Sequence, residues 1–341
     1  MSRVSGLASA PVSPSTSARP SAVDVASEHE AGITAPPADA DPVASAIATL
    51  SQVPPAELQR RGYHFQRADY YSALNDIAFL AANRDLWQQR PMPTGIKWQL
   101  DAQLELLRCI SPYIAELGDV PFEPPPDAAS YHWNNDFWRG TDALVHYSLL
   151  RHLRPTRIVE IGCGWSSLLM ARALAMNDHD GSPAKSVHQI EPYPRRELLA
   201  QLPASWTMEE TLLQRASPAS VEALGAGDVL FYDGSHVAKA GSDVNWFFFE
   251  LLPKLAPGVV VHVHDIFCPA DYPETWIFER GQTWNEQYVL QAFLMFNDEF
   301  EVLLANAALV SEHRDEVVEL LGSTPEEISG GGSVWIRRRA R

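Results

Sequence analysis

Residues 157–167 read Arg157-Ile158-Val159-Glu160-Ile161-Gly162-Cys163-Gly164-Trp165-Ser166-Ser167, and the apolar run Leu168-Leu169-Met170-Ala171 follows them. The pattern predicts a short buried strand, a tight turn at the two glycines, and a helix that begins with serines able to cap it. Gly162 and Gly164 permit a backbone geometry and a close approach of ligand that a Cβ would prevent. Glu160 adds a carboxylate just before the turn. In a doubly wound α/β sheet, a nucleotide-like ligand lies at this place.

The composition excludes several classes of partner. The chain has 341 residues, 46% of them hydrophobic, and 26 basic against 43 acidic residues give a net charge of −17. Nucleic acid and anionic membranes require a concentrated basic surface, so neither is expected as a partner. The cluster Arg337-Arg338-Arg339 with Arg341 is interpreted as a solvated tail. Three widely spaced cysteines fit a reducing cytoplasm, and no signal-peptide core or apolar run of membrane-spanning length is evident.

Three regions follow from the pattern along the chain. Residues 1–43, rich in Ser, Ala and Pro, predict a disordered tail that ends near Pro42. Residues 44–136 predict a helical cap or dimerisation region, with apolar residues at helical spacing from Tyr70 to Leu80 and from Leu100 to Ile114. Residues 137–341 predict a catalytic-type α/β domain, and a homodimer built through the helices is plausible.

An aromatic segment, Tyr131-His132-Trp133-Asn134-Asn135-Asp136-Phe137-Trp138, precedes that domain. Two interpretations stay open. Its rings could be core of the helical cap, or the segment could form walls of the ligand pocket, since His132 and the two asparagines are costly to bury without partners.

The second half of the chain alternates strand and helix patterns. Strands are predicted at 157–161, 187–191, 208–213, 228–233, 258–264, 299–305 and 333–337. Helices are predicted at 166–177, 194–201, 217–223, 243–254 and 284–297. This alternation predicts a Rossmann-like, doubly wound, mainly parallel seven-stranded sheet covered on both faces. The connection between the last two strands is not assigned, and one of these strands is a candidate antiparallel edge.

Acidic residues follow three of these strands. Glu191, about thirty residues after the glycine turn, is placed to accept the hydroxyls of a ribose. Asp233 and Asp265 end two further strands, and they come close together if those strands are neighbours. Because two carboxylates repel, such a pair requires a cation, a shared proton or hydrogen-bond donors. A hard divalent ion is one answer.

Three histidines lie near these aspartates in the sequence. His236 and His264 are candidates for a general base or for ligands of a softer metal such as iron. Strand geometry places His262 and His264 on one face and Asp265 on the other, although a strand end can relax this rule. His262, deeper in its strand, is interpreted as a hydrogen-bonded core histidine. The loop from Cys268 to Trp284 is either a lid over the acceptor or a packed surface loop.

Together these motifs resemble the class I S-adenosylmethionine-dependent methyltransferases, and within them bacterial small-molecule O-methyltransferases. The resemblance covers about residues 137–341. It rests on the glycine turn at 160–167, on Glu191, on 231–236 and on 264–267 with 271–273. It implies that Glu160, Gly162, Gly164 and Ser166 hold the methionine part of the cofactor, with Asp233 also near it, and that Glu191 holds the ribose. For a metal it implies Asp233 and Asp265. Ile266 stands where catechol-type enzymes carry an asparagine, so His264 or His236 is the candidate for a third ligand.

The resulting hypothesis is methyl transfer from S-adenosylmethionine to an oxygen of a small molecule. His236, His264 and Asp233 are the candidate catalytic residues, and a divalent metal, magnesium or iron, is an additional candidate cofactor held by Asp233, His264 and Asp265. A peptide acceptor stays open. Two alternatives keep the fold: an iron-dependent enzyme that does not methylate, using His236, His264 and Asp265, and a cofactor-binding scaffold without turnover.

Overall fold

The computed structural model describes residues 41–88, 90–125, 130–322 and 331–340. The chain divides between residues 73 and 74 into two compact units. In the first unit, the described part contains helices α1 (Pro42–Leu50) and α2 (Pro55–Arg60). Asp41 caps α1 by accepting a hydrogen bond from the backbone N–H of Val43, at 2.9 Å. The predicted disordered tail, residues 1–43, lies outside the described residues except for its last three.

The second unit contains the predicted seven-stranded sheet. Its strands are β1 (Arg157–Ile161), β2 (Ser186–Ile190), β3 (Thr207–Glu209), β4 (Val229–Tyr232), β5 (Val260–His264), β6 (Phe300–Ala305) and β7 (Ser333–Arg338). They lie in the order β3-β2-β1-β4-β5-β7-β6. The first five strands are mutually parallel, whereas β7 runs antiparallel to both β5 and β6. The mainly parallel Rossmann-like sheet is therefore confirmed.

Among the described residues this unit contains ten α-helices, several of which cover the two faces of the sheet. They are α3 (Ile77–Ala82), α4 (Leu100–Ile110), α5 (Gly140–Leu153), α6 (Trp165–His179), α7 (Arg196–Leu199), α8 (Ala219–Glu222), α9 (Asp243–Trp246), α10 (Glu274–Phe278), α11 (Glu286–Leu294) and α12 (Asn306–Leu321). Val229 and Phe231 of β4 belong to one apolar core, and Leu230 and Tyr232 belong to the other. Because side chains alternate along a strand, the two cores lie on opposite faces of the sheet. Within the described chain, no helix combines the length and the apolar character that crossing a membrane requires.

Three elements differ from the sequence prediction. The helix expected from Tyr70 begins only at Ile77, where Asp76 accepts a hydrogen bond from the backbone N–H of Phe79. The sequence makes one of the last two strands a candidate antiparallel edge, but the two properties fall on different strands: β7 is antiparallel and lies between β5 and β6, whereas β6 forms the edge. The unassigned connection between these strands is α12, which has a kink at His313. Charged residues break its apolar period in the second half, which explains why the pattern did not predict it.

A buried guanidinium ties α5 to its neighbours on one face of the sheet. The side chain of Arg151 is 3% exposed and binds both carboxylate oxygens of Glu116, with Nε–Oε2 and Nη2–Oε1 distances of 2.7 and 2.9 Å. It also donates to Asp180 at 2.7 Å and to the buried amide oxygen of Asn177. These bonds join the end of α5 to α6 and to the 3-10 turn after α4.

Replacing Arg151 with Met should lower the free energy of unfolding by about 3 kcal/mol. The buried amide oxygen of Asn177 loses the Arg151 donor, and Glu116 loses its two guanidinium hydrogen bonds and keeps the one from the Tyr147 hydroxyl. Denaturant unfolding followed by circular dichroism measures this loss. Arg154→Met is the matched control. Its guanidinium is 43% exposed and lies 3.7 Å from Asp180, and such surface pairs contribute about 1 kcal/mol or less. Equal losses in the two variants would contradict the structural role assigned to Arg151.

Candidate active site

The carboxyl ends of β1, β2, β4 and β5 surround a cavity of about 360 Å³. This volume falls in the range of small-molecule sites. Its walls carry the glycine turn, two aspartates, two histidines and several aromatic rings: Phe137, Trp138, Gly162, Cys163, Gly164, Trp165, Ser166, Glu191, Tyr193, Arg195, Asp233, Gly234, His236, His264, Asp265 and Trp284. The cavity lies at the edge of the sheet where open α/β folds bind their ligands.

The glycine turn joins three strands at one point. The backbone N–H of Gly162 donates to Ile190 O at 3.0 Å, and that of Asp233 donates to Ile161 O at 2.9 Å. Gly162 has a φ of +81°, and a Cβ at this position would lie 2.0 Å from the carbonyl oxygen of Asp233. Only glycine fits here. By contrast, a Cβ at Gly164 would meet no atom within 4 Å, so this residue borders open space.

The Glu160 side chain does not line the cavity, although the resemblance implied that it holds the methionine part of the cofactor. Its carboxylate is fully buried and accepts hydrogen bonds from the hydroxyls of Ser166 and Ser167 and from the amide of Gln189. Burial raises the pKa of Glu160 to about 7. The side chain therefore fixes the start of α6 below the glycine turn and does not face the cavity. Ser166 bonds to Glu160 and also borders the cavity.

Glu191 lies beside the glycine turn, as expected for a residue that follows β2. One carboxylate oxygen accepts a hydrogen bond from the backbone N–H of Cys163 at 3.2 Å, and the other accepts from that of Tyr193 at 2.7 Å. These bonds hold the carboxylate at the cavity wall. Burial raises the pKa of the Cys163 thiol above its usual range, so this cysteine is not an activated nucleophile.

An acidic and imidazole cluster forms the other side of the cavity. Since β4 and β5 are neighbours, Asp233 and Asp265 come together as predicted. His236 lies between them, with its Nε2 atom 3.3 Å from Asp233 Oδ1 and 3.3 Å from Asp265 Oδ2. Among the described residues, these three offer ligand atoms that all lie within 4.8 Å of one another.

The backbone at two of these positions is strained. His236 has a φ of +61° and Asp265 a φ of +58°. Residues other than glycine rarely adopt this left-handed conformation, and such strain concentrates at functional sites. At Asp265 it turns the chain at the end of β5, so that this carboxylate reaches the cavity beside His264. The strict alternation of faces expected for this strand is thus relaxed at its end.

His264 reaches the cluster in a different way from the expected ligand role. Its Nδ1 atom lies 3.4 Å from Asp233 Oδ1 and 3.7 Å from Asp265 Oδ1, outside the compact set formed by His236 and the two aspartates. This buried nitrogen has no hydrogen-bond partner among the described residues. Its Nε2 atom lies 3.6 Å from a carboxylate oxygen of Asp142, and Trp138 packs 4.4 Å from the ring. The set best placed for a metal is therefore Asp233, His236 and Asp265, with His264 beside it.

Two carboxylates behind the histidines were not identified from the sequence. Asp142, in the first turn of α5, faces His264 and accepts hydrogen bonds from Gly332 N–H and the Asn306 amide. Glu286, at the start of α11, accepts a hydrogen bond from His236 Nδ1 at 2.9 Å. Fifty residues separate this last pair in the sequence, and no motif spacing connects them.

The charges in the cluster shift one another's ionisation. Although burial lowers it, hydrogen bonds to Asp233 and Glu286 raise the pKa of His236 to about 10. Burial also raises the pKa of Glu286 to about 7 and that of Asp265 above its usual range. For Asp233 the nearby imidazoles outweigh burial and lower the pKa. Without a bound cation, the protonated histidines neutralise part of the carboxylate charge.

His262 and the remaining aromatic residues pack in apolar clusters, and some of the aromatic rings also line the cavity. His262 is fully buried, bonds to the Ser333 hydroxyl at 2.9 Å and stacks on Trp335 at 4.0 Å, which confirms a hydrogen-bonded core histidine. The segment 131–138 combines both interpretations, because Trp138 is core and also lines the cavity. In the loop 268–284, the aromatic side chains pack in a small cluster with Trp87 and Phe267, and Trp284 also borders the cavity.

Comparison with known proteins identifies the class of this domain. Residues 159–266 match the family model described as a methyltransferase domain, and the match spans the glycine turn, Glu191 and both aspartates. This confirms, for residues 159–266, the methyltransferase domain predicted from the sequence. An uncharacterised protein of Archaeoglobus fulgidus is 37% identical over 101 residues, which cover 29% of this chain and 44% of that protein. The matched segment thus spans less than half the length of this relative.

A comparison with solved structures finds matches with low TM-scores. A putative methyltransferase from Thermobifida fusca is 14% identical, with a TM-score of 0.38 over 72% of this chain and 97% of that one. The Bacillus cereus O-methyltransferase in complex with SAH is 13% identical, with a TM-score of 0.33 over 76% and 95%. The CmcI protein with Mg and SAM is 18% identical, with a TM-score of 0.32 over 83% and 100%.

The two glycines of the turn should respond differently to the same substitution. Gly162→Ala should lower the free energy of unfolding by at least about 3 kcal/mol, because the methyl group meets the Asp233 carbonyl and the φ is positive. Gly164→Ala, which adds the same group towards open space, should stay within about 1 kcal/mol of the unmodified protein. Denaturant unfolding of the three proteins tests this contrast. A Gly162→Ala variant as stable as Gly164→Ala would refute the close contact between β1 and β4.

Proposed function

We propose that this protein transfers a methyl group from S-adenosylmethionine to an oxygen atom of a small-molecule acceptor, with a divalent cation in the acidic cluster. One observation carries the proposal. A single cavity in the methyltransferase domain has the glycine turn and Glu191 on one side and Asp233, His236, His264 and Asp265 on the other. The net charge of −17 and the three free cysteines support a cytoplasmic enzyme that acts without nucleic acid or membrane. A homodimer is part of the same proposal.

The residues around the glycine turn fit the cofactor. Glu191 presents a carboxylate at the cavity wall, where it can accept hydrogen bonds from ribose hydroxyls. Gly164 leaves open space into which a side chain would otherwise project. In a protein with this excess of acidic charge, a cationic sulfonium is also electrostatically favoured. When bound, S-adenosylmethionine supplies a methyl group that is already activated for transfer.

The chemistry of the acidic cluster fits a divalent cation. Four carboxyl groups face two imidazole rings in this region: Asp142, Asp233, Asp265 and Glu286 around His236 and His264. Even two imidazolium ions leave an excess of negative charge when all four carboxyl groups are ionised. Two carboxylates with one imidazole suit magnesium, manganese or iron. The two-histidine, one-carboxylate iron set of the non-methylating alternative is less compact here, since the grouped ligand atoms come from two aspartates and one histidine.

The chain's own residues would then position the acceptor. Asp233, His236 and Asp265 would hold the cation, which can lower the pKa of a hydroxyl. Although burial lowers it, the charges of Asp265 and Asp233 raise the pKa of His264, and a cation on these aspartates would offset that effect and favour the neutral ring. The buried Nδ1 atom of His264, which has no hydrogen-bond partner among the described residues, would then be placed to take the acceptor's proton. Trp138 and Trp284 form apolar walls that restrict the orientation of the acceptor. Methyl transfer requires mainly that the acceptor oxygen and the methyl group be held in line.

The role of Glu191 is tested by cofactor binding alone. Glu191→Ala should weaken binding of S-adenosylhomocysteine about 100-fold, because two charge-assisted hydrogen bonds are lost. Isothermal titration calorimetry, run with and without EDTA, measures the change. Glu210→Ala is the control, since this neighbouring carboxylate after β3 is 49% exposed and pairs with Arg196. Unchanged affinity in Glu191→Ala would contradict the cofactor site.

The two aspartates should be required for transfer and not for cofactor binding. Asp233→Asn and Asp265→Asn should each lower the rate of S-adenosylhomocysteine formation about 100-fold or more, whereas the affinity for the cofactor changes little. The assay uses a panel of hydroxylated acceptors, with and without chelator. Full activity of both variants in the presence of chelator would refute the metal-assisted mechanism. Cofactor binding without turnover on any acceptor would favour the non-catalytic scaffold.

A further inference from the structure

His236 has two different neighbours on its two ring nitrogens. Its Nε2 atom faces Asp233 and Asp265, each at 3.3 Å, on the cavity side. Its Nδ1 atom faces away from the cavity and donates to Glu286 Oε2 at 2.9 Å. An ionised carboxylate can only accept, so in this form of Glu286 the bond keeps the proton on Nδ1. The nitrogen that can offer a lone pair to a cation is then Nε2.

Residues 284–286 hold His236 in this orientation through both backbone and side-chain contacts. The backbone N–H groups of Asn285 and Glu286 both donate to the carbonyl oxygen of His236, at 3.0 and 3.2 Å. The Asn285 side chain accepts from the backbone N–H of Ala238 at 2.6 Å, and Trp284 packs 4.2 Å from the His236 ring. Residues 284–286 therefore fix the loop that carries His236, including its left-handed backbone.

Glu286 has no comparable structural task apart from this bond. Its side chain is fully buried, and its Oε1 atom has no hydrogen-bond partner among the described residues. Burying a carboxylate with one oxygen unpaired is costly, and an apolar residue or an amide would fill the same space at lower cost. Among the described residues, the hydrogen bond that its carboxylate makes is to His236.

We propose that Glu286 is a positioning residue for divalent metal binding, which holds the imidazole of His236 so that Nε2 points at the site formed with Asp233 and Asp265. The inference rests on the proposed metal-assisted function and adds the residue that prepares the ligand set. Carboxylates that accept the outer N–H of a metal-binding histidine fix its tautomer and orientation, and their loss typically weakens metal affinity 10- to 100-fold.

The experiment is a calorimetric titration of the full-length protein with Mn²⁺. Glu286→Gln keeps the size of the side chain and should weaken Mn²⁺ binding about 10- to 100-fold. The control is Asp243→Asn, which removes one negative charge from the same region. Asp243 accepts hydrogen bonds from Ser235 N–H and Oγ and from the Tyr232 hydroxyl, and it makes none with the His236 ring. Its Mn²⁺ affinity should stay within about 3-fold.

A double-mutant cycle separates orientation of the ring from simple charge loss. In a His236→Asn background, Glu286→Gln should cause no further loss of Mn²⁺ affinity beyond about 2-fold, because the ring that Glu286 orients is absent. A purely electrostatic effect of Glu286 would persist in that background and would overturn the proposal. An equal loss in Asp243→Asn and Glu286→Gln, or no Mn²⁺ binding by the unmodified protein, would also overturn it.

Titration of the same proteins with S-adenosylhomocysteine keeps the two proposals distinguishable. Cofactor affinity should be the same in the unmodified protein and in Glu286→Gln, since Glu286 is not among the residues that line the cofactor side of the cavity. Intact cofactor binding with unchanged Mn²⁺ affinity in Glu286→Gln would reject the role of Glu286 and leave the methyltransferase proposal standing. Absence of cofactor binding by the unmodified protein would reject the proposed function itself.

Discussion

The site depends on one steric constraint, the contact between Gly162 and the backbone carbonyl of Asp233. A side chain at Gly162 would collide with that carbonyl at 2.0 Å. Because the contact is possible, the end of β4 lies directly against the turn after β1, and its backbone N–H bonds to Ile161. This brings the glycine turn and the acidic side of the cavity next to each other, as the proposed reaction between two bound molecules requires.

The acidic side contains two imidazole rings, each with carboxyl groups on its cavity side and another carboxyl group on its opposite side. In front, Asp233 and Asp265 face both rings. Behind, Glu286 faces His236 and Asp142 faces His264. The rings thus have the same type of environment but different partners, and one joins a compact ligand set whereas the other keeps a free Nδ1 atom. Different roles for chemically identical groups follow from these surroundings.

Local patterns predicted the sheet, the glycine turn and the approach of Asp233 to Asp265, because each depends on a few consecutive residues and on the rule that parallel strand ends meet at one edge. The orientation of Glu160 was not predictable, because both the serines and the cavity are within its reach from the strand end. Glu286 and Asp142 were missed for another reason. They approach the histidines through the packing of whole helices, α11 and α5, and the sequence carries no signal for such contacts.

The position of β7 affects how the domain folds during its synthesis. This strand is last in sequence, yet it lies between β5 and β6, and Gly332 just before it accepts a hydrogen bond from Ile266 N–H and donates one to Asp142. Until it docks, the apolar edge of β5 stays unpaired, and the Asp142 carboxylate lacks the hydrogen bond from Gly332 N–H. During synthesis on the ribosome, the nascent domain therefore carries an exposed, aggregation-prone strand until residues 332–338 emerge.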